Sequence, residues 1–380
     1  MTFFTYLELS FFIVLINPLG WHMFLHMAPL YLPFLIREFS GLNKGMKKPV
    51  LCFFCFFVYS LLSFGFVSHG PGSVDKLIRY FYELLVFWIF LNYNISHDRL
   101  QTLIKFYIYS CGAVVLKMIV QHVRMPVEEI RYTIDNFGKL MDPNFLTALF
   151  ILPSLVLFYK IVNKTANKKV YFLLSCFLVA VFATGSRGGL LSILIGFAIL
   201  FTKIQSKKTK FYLVICAVSA FMLLTVYEAD KMSRFSTENL EDGSNMLRFH
   251  LWDVAFQIFQ SSPLIGRGAN SMINLGPDFG VRINIMAHNT YLEMLADYGI
   301  IGFTLWIAPF ILLIKRAFKR KNILVISISI SSLFCAFFIS AQDSAFWWQN
   351  VILSYLMLRY NVNDITSFKL CEKNGKKVAT

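Results

Sequence analysis

Residues 170–203 read VYFLLSCFLVAVFATGSRGGLLSILIGFAILFTK. Between Lys169 and Lys203 the only charge is Arg187, and it sits between two apolar runs, 170–183 and 189–203. Neither run shows the period-two alternation of a half-buried strand, so each predicts a buried helix, with Ala183-Thr-Gly-Ser-Arg-Gly-Gly-Leu190 as the reversal between them. The whole chain of 380 residues is built this way: 57% hydrophobic, 15% charged, with 41 Phe. Soluble domains hold roughly 45–50% apolar and about 25% charged residues, and so few polar residues cannot furnish a water-facing exterior. Soluble enzymes, disordered chains and collagen-like chains are excluded. The long unbroken runs also exclude the short alternating strands of an outer-membrane barrel. The composition implies an all-α fold, a polytopic transmembrane helical bundle.

Runs near membrane-spanning length fall at 3–19, 21–36, 50–68, 77–92, 103–121, 142–159, 170–183, 189–203, 211–227, 290–314, 322–340 and 345–358. That gives about 12 spans in a single integral membrane domain, 1–380. The first pair is interrupted by Glu8, His22 and His26 and can also be drawn as one tilted span. The start Met-Thr-Phe-Phe lacks a basic segment and a cleavage site, which reads as a retained first span. The formal charge is +15. Loops on alternate sides share it unevenly, 24 Lys and Arg against 10. Basic loops stay in the cytoplasm, so both termini are expected there, with a cytoplasmic tail at 359–380. The charge is then topogenic, and nucleic acid is not expected as a partner. Six of the seven Cys lie in apolar runs, and the Cys52/Cys55 pair reads as small-residue packing in preference to redox or metal chemistry.

On the opposite face, residues 228–288 form an excursion far beyond the ~12–15 residues of an ordinary connection. Inside it Leu247, Leu251, Val254, Ala255 and Ile258 keep helical spacing, Ser244 or Asn245 can cap the start, and Pro263 stops the run. This predicts an interfacial helix on the membrane surface, with Trp252 and Phe256 at the boundary.

Charge at this face is the informative feature, since an Arg in hydrocarbon costs about 2.5–3.5 kcal/mol. Arg187 stands in a Gly-rich turn at a helix start, where backbone N–H groups and a guanidinium form an anion cradle suited to a diphosphate. A Gly-rich turn with a snorkelling Arg, and Gly185 and Gly189 as a packing pair, explains the same residues. Arg248 opens the surface helix and is either an anion ligand or a partner for Asp253. Arg267, in Ser262-Pro-Leu-Ile-Gly-Arg-Gly268, is a further basic candidate. His288 lies where the chain re-enters the membrane; it is either a proton acceptor, with Glu293 or Asp297 nearby, or an interfacial histidine. His22 and His26 lack a zinc-protease pattern and read as packing residues. Asp142-Pro143-Asn144 reads as a helix cap with Pro at the first position.

Taken together, TGSRGG, the Arg248-x3-Trp252 element leading to Ser-Pro-Leu-Ile-Gly-x-Gly, and His288-Asn-x-Tyr-Leu-x6-Gly-Ile-Ile-Gly resemble the O-antigen ligase and O-antigen polymerase superfamily in order and in side. The resemblance covers residues 140–315. It implies a bacterial inner-membrane glycosyltransferase facing the periplasm, with no cofactor and no metal. Its donor is an undecaprenyl-diphosphate-linked glycan. The family's essential arginines map to Arg187 and Arg248 and its essential histidine to His288. Ser186, Gly188, Asn289 and Tyr291 lie within the same motifs as substrate-binding candidates, and Arg267 and Arg282 are additional basic residues. Polymerase and ligase share this donor and differ in acceptor, a second lipid-linked repeat unit for O-antigen or capsular polysaccharide, or lipid A-core. Polymerase is the favoured reading, with a chain-length regulator as a possible further partner. A lipid-glycan transporter is the alternative of another class, but such proteins place their ionisable sites near the midplane and carry repeats, and no repeat is present here.

Overall fold

The computed structural model describes residues 47–92, 96–124, 135–136, 139–204, 210, 243–281 and 285–360. The expected spans 3–19, 21–36 and 211–227, the start of the long loop, His22, His26, Arg282 and the tail beyond Tyr360 lie outside these residues. In chain order the helices are α1 (Lys47–Ser63), α2 (Ser73–Asn92), α3 (His97–Arg124), α4 (Pro143–Leu149), α5 (Ile151–Val162), α6 (Lys168–Ala183) and α7 (Arg187–Phe201). They continue as α8 (Gly243–Ser261), α9 (Ser271–Leu275), α10 (Thr290–Lys319), α11 (Ile323–Cys335) and α12 (Ala345–Met357). Between α3 and α4 a two-residue antiparallel ladder pairs β1 (Asp135–Asn136) with β2 (Lys139–Leu140).

Among the described residues the fold is all-α apart from that ladder. Among the described residues three helical stretches, His97–Val123, Pro143–Val162 and Thr290–Lys319, are long and apolar enough to cross a membrane. The run 142–159 is divided at Phe150 into α4 and α5. Pro153 lacks the N–H that would bond the Leu149 carbonyl; the Tyr107 hydroxyl at 3.5 Å and the Cys111 thiol at 3.7 Å approach that oxygen instead.

Two runs depart from single uninterrupted spans. The run 322–340 is helical only to Cys335, and residues 336–344 continue as irregular backbone, buried except at Phe337 and Phe338. Such backbone is tolerated at depth only where its polar groups are satisfied. Thr290 does part of this work. Its N–H and hydroxyl donate to the Ile339 carbonyl at 3.0 and 2.6 Å, and its hydroxyl accepts from the Ala341 N–H at 2.9 Å. Glu293 accepts from Ser340 at 2.5 Å and Gln342 at 2.7 Å, and Arg79 pairs with Asp343 at 2.8 Å.

The second departure is in α10, which is broken at Gly299 (φ 62°, ψ −169°). Residues 263–268 plug the break. The N–H groups of Arg267 and Gly268 donate to the carbonyls of Ala296 and Asp297 at 2.8 and 2.9 Å, and those of Ile300 and Ile301 donate to Pro263 and Leu264 at 2.9 and 3.2 Å. Asp297, 1% exposed, takes the Lys76 ammonium at 2.7 Å and caps α9 through the Ser271 N–H at 2.9 Å and hydroxyl at 2.7 Å.

Packing forms two cores. The larger joins α1–α7 to α10–α12 and is rich in rings, Phe53 stacking on Trp348 at 4.1 Å. The smaller joins Leu251, Val254, Ala255 and Ile258 of α8 to Met272, Val281, Ala287 and Ala296. Four of the five residues expected on the buried face of α8 are buried; Leu247 is exposed.

Two substitutions test the break. The conformation at Gly299 belongs to glycine, and a Cβ there would lie 2.4 Å from the Leu264 carbonyl carbon. Gly299→Ala is expected to cost about 1–3 kcal/mol, read as a lowered melting temperature in detergent; an unchanged melt would show that the plug relaxes freely. Lys76→Met leaves the Asp297 carboxylate buried without its cation and is expected to cost about 3–5 kcal/mol in the same measurement. A loss below about 1 kcal/mol would mean that the pair does not hold the break.

Candidate functional site

The TGSRGG turn is locked from within. Gly185 adopts φ 60° to end α6, and Ser186 caps α7 by accepting from the Gly189 N–H at 3.2 Å. A Cβ on Gly189 would fall 2.3 Å from the Thr147 methyl, so only a glycine lets the start of α7 press on α4 at this depth. The Ser186 hydroxyl donates to Asn144 Oδ1 at 2.8 Å. Asn144 donates its Nδ2 and its backbone N–H to Asp142 Oδ1, at 2.8 and 2.7 Å. Arg187 is thereby fixed in the first turn of α7, half-buried, on the side of Asp142.

His288 precedes α10 with a left-handed backbone, φ 53°. Both neighbours are anchored. The Ala287 carbonyl accepts from Trp252 Nε1 at 3.0 Å, and Asn289 caps α10 by accepting from the N–H groups of Tyr291 and Leu292 at 3.1 and 3.2 Å. The imidazole Nδ1 faces Asp142, 3.9 Å from Oδ2. Glu293 and Asp297, the carboxylates expected beside it, are engaged elsewhere, with Ser340 and Gln342 and with Lys76 and α9. One and two helical turns carry them away from the end of α10 where His288 stands.

Arg248 lies one turn before Trp252 on α8 and is half-buried. Burial pushes its guanidinium below the ordinary value, Asp142 draws it back up, and Arg187 pushes it down. These opposing fields place Arg248 in one electrostatic neighbourhood with Asp142 and Arg187. Its expected surface partner Asp253 accepts instead from Gln257 at 2.7 Å. Trp252, expected at the membrane boundary, ties α8 to the loop carrying His288.

His288 thus stands 3.9 Å from Asp142, and Arg248 feels the charges of both Asp142 and Arg187. The other described candidates make framework contacts. Ser186 and Asn289 are buried caps, and a Cβ on Gly188 would lie 2.5 Å from the Phe338 ring. The Tyr291 hydroxyl donates to the Leu333 carbonyl at 2.6 Å. The Arg267 side chain folds onto the end of α8, donating to Ser261 Oγ at 2.7 Å and to the Ser261 carbonyl at 3.1 Å. Sequence reasoning stopped at the cap for Asp142. Its second role depends on a tertiary neighbour 146 residues away, which no local spacing announces.

The arrangement suits an anion. Two guanidinium groups share the space with the starts of α7 and α10, whose dipoles favour negative charge. Beside them an imidazole and a carboxylate can bind and move a proton. Among the described residues no group of three His, Cys, Asp or Glu side chains is gathered as metal ligands would be. No curated protein matches the chain. Residues 172–307 match the family model described as O-antigen ligase, a segment that runs from α6 into α10 and contains Arg187, Arg248 and His288. Over that segment the chain is similar to the O-antigen ligase family, a family of membrane proteins, which supports the resemblance read from the motifs.

Proposed function

We propose that this protein is a polysaccharide polymerase of the bacterial inner membrane, with the site facing the periplasm and both termini in the cytoplasm. It transfers a glycan from undecaprenyl diphosphate to the sugar of a second lipid-linked repeat unit. What supports the reading is the family match over residues 172–307 together with Arg187 at the start of α7, His288 ahead of α10 and 3.9 Å from Asp142, and Arg248 of α8 under the fields of Asp142 and Arg187. His288 takes the proton of the acceptor hydroxyl, whose oxygen attacks the anomeric carbon. The bond from that carbon to the diphosphate oxygen breaks, and the electron pair leaves with undecaprenyl diphosphate. Arg187 and Arg248 stabilise the charge that develops there, an effect largest in a site screened from water. A single displacement inverts the anomeric centre. The arginines supply the positive charge that a metal ion supplies in other transferases.

The family description favours a second reading, ligation of the same donor to lipid A-core. Reconstitution separates the two. The protein in lipid vesicles receives lipid-linked repeat units isolated from host cells deleted for it, with and without lipid A-core. Lengthening glycans with release of undecaprenyl diphosphate support polymerisation, and product formed only with lipid A-core supports ligation. Movement of the lipid across the bilayer without bond formation overturns both in favour of transport.

Arg187→Ala and His288→Ala are each expected to lower the transfer rate by at least about 10²-fold with normal membrane levels, measured in the same vesicles. Retention of most activity by both would remove the site. Arg248→Lys keeps the charge and loses the two-pronged geometry, so a loss of about tenfold or more is expected in kcat/KM for the donor. Wild-type behaviour would mean that charge alone suffices there.

A further inference from the structure

We infer that Asp142 is a positioning residue for His288, holding the imidazole in the tautomer whose Nε2 accepts the acceptor proton. The inference rests on the transferase reading above and adds a role that the sequence of the site does not assign.

The geometry divides the two oxygens of Asp142. Oδ1 accepts from the backbone N–H and the Nδ2 of Asn144, at 2.7 and 2.8 Å, and thus caps α4. Oδ2 is turned to His288 Nδ1 at 3.9 Å. That distance shortens to a hydrogen bond with a small shift of either partner, as catalytic contacts commonly do once substrate is bound. A carboxylate at Nδ1 favours the proton there, leaves the Nε2 lone pair for the acceptor hydroxyl, and stabilises the imidazolium formed when that proton arrives. Asp142 cannot swing away freely, because Asn144 is held in turn by the Ser186 hydroxyl at 2.8 Å. The chain Ser186–Asn144–Asp142 thus couples the turn that bears Arg187 to the aim of His288.

Capping and charge are separable. Asp142→Asn and Asp142→Ser both keep a good cap and lose the carboxylate; the amide of Asn additionally offers a donor to Nδ1 and so favours the wrong tautomer. Asp142→Glu keeps charge with a poorer cap. Assayed in vesicles with the lipid-linked repeat units described above, the Asn and Ser variants are expected to lose about 10²-fold in kcat while donor KM does not rise and the melting temperature holds. The Glu variant is expected to keep more activity than either. Wild-type kcat in the Asn and Ser variants, or a loss that falls on donor KM, would overturn the role. If those variants are fully active while His288→Ala is dead, only this inference fails. If His288→Ala and Arg187→Ala are active, the transferase site itself fails.

Discussion

One buried ion pair, Lys76 with Asp297, holds together the junction at a break in a membrane-length helix. An interrupted helix leaves unpaired carbonyls and N–H groups, each expensive in hydrocarbon. Here the break is filled by residues 263–268, whose backbone supplies the missing donors and acceptors on both sides. The Asp297 carboxylate adds the start of α9 to the same junction, and the Lys76 ammonium neutralises it from α2. Neither charge is tolerable alone at this depth, so the pair fixes how α2, α9 and α10 meet.

That junction carries through to the chemistry. The plug follows directly from α8, so the helix bearing Arg248 and the end of α10 bearing His288 share one attachment. Trp252 closes the arrangement from the other side by holding the Ala287 carbonyl. Against this stands the bundle half of the site. There the buried Ser186 and Asn144 and the half-exposed Asp142 are linked by hydrogen bonds into one strip beside the start of α7. The capping carboxylate of Asp142 is where this half meets the other, with His288 3.9 Å away and its charge felt by Arg248.

How much of this the sequence discloses follows from the range of the interactions. The helical pair 170–203, the surface helix stopped by Pro263 and the alignment of Arg187, Arg248 and His288 with family motifs all depend on local pattern, and the sequence carries them. The break at Gly299 is hidden, because Gly-Ile-Ile-Gly is as apolar as the helix around it and the residues that make the break tolerable lie 31 to 36 positions upstream. The stretch 336–340 misleads for the same reason: Ala-Phe-Phe-Ile-Ser reads as more helix, but its backbone is held by Thr290 from another element. Arg267 looks available for an anion, and only the fold shows its guanidinium turned onto Ser261.

The two separate cores have a mechanical consequence. The seam between them passes through the cluster of charges, with Arg248 and His288 seated on the smaller core's elements and Arg187 and Asp142 on the larger's. Because α10 places Ala296 in the smaller core and Met294 and Tyr298 in the larger, and residues 263–268 are bonded to it across its break, the two interiors are riveted to one another along a single helix. A disturbance in either interior is therefore transmitted to the other through α10, at whose start His288 stands.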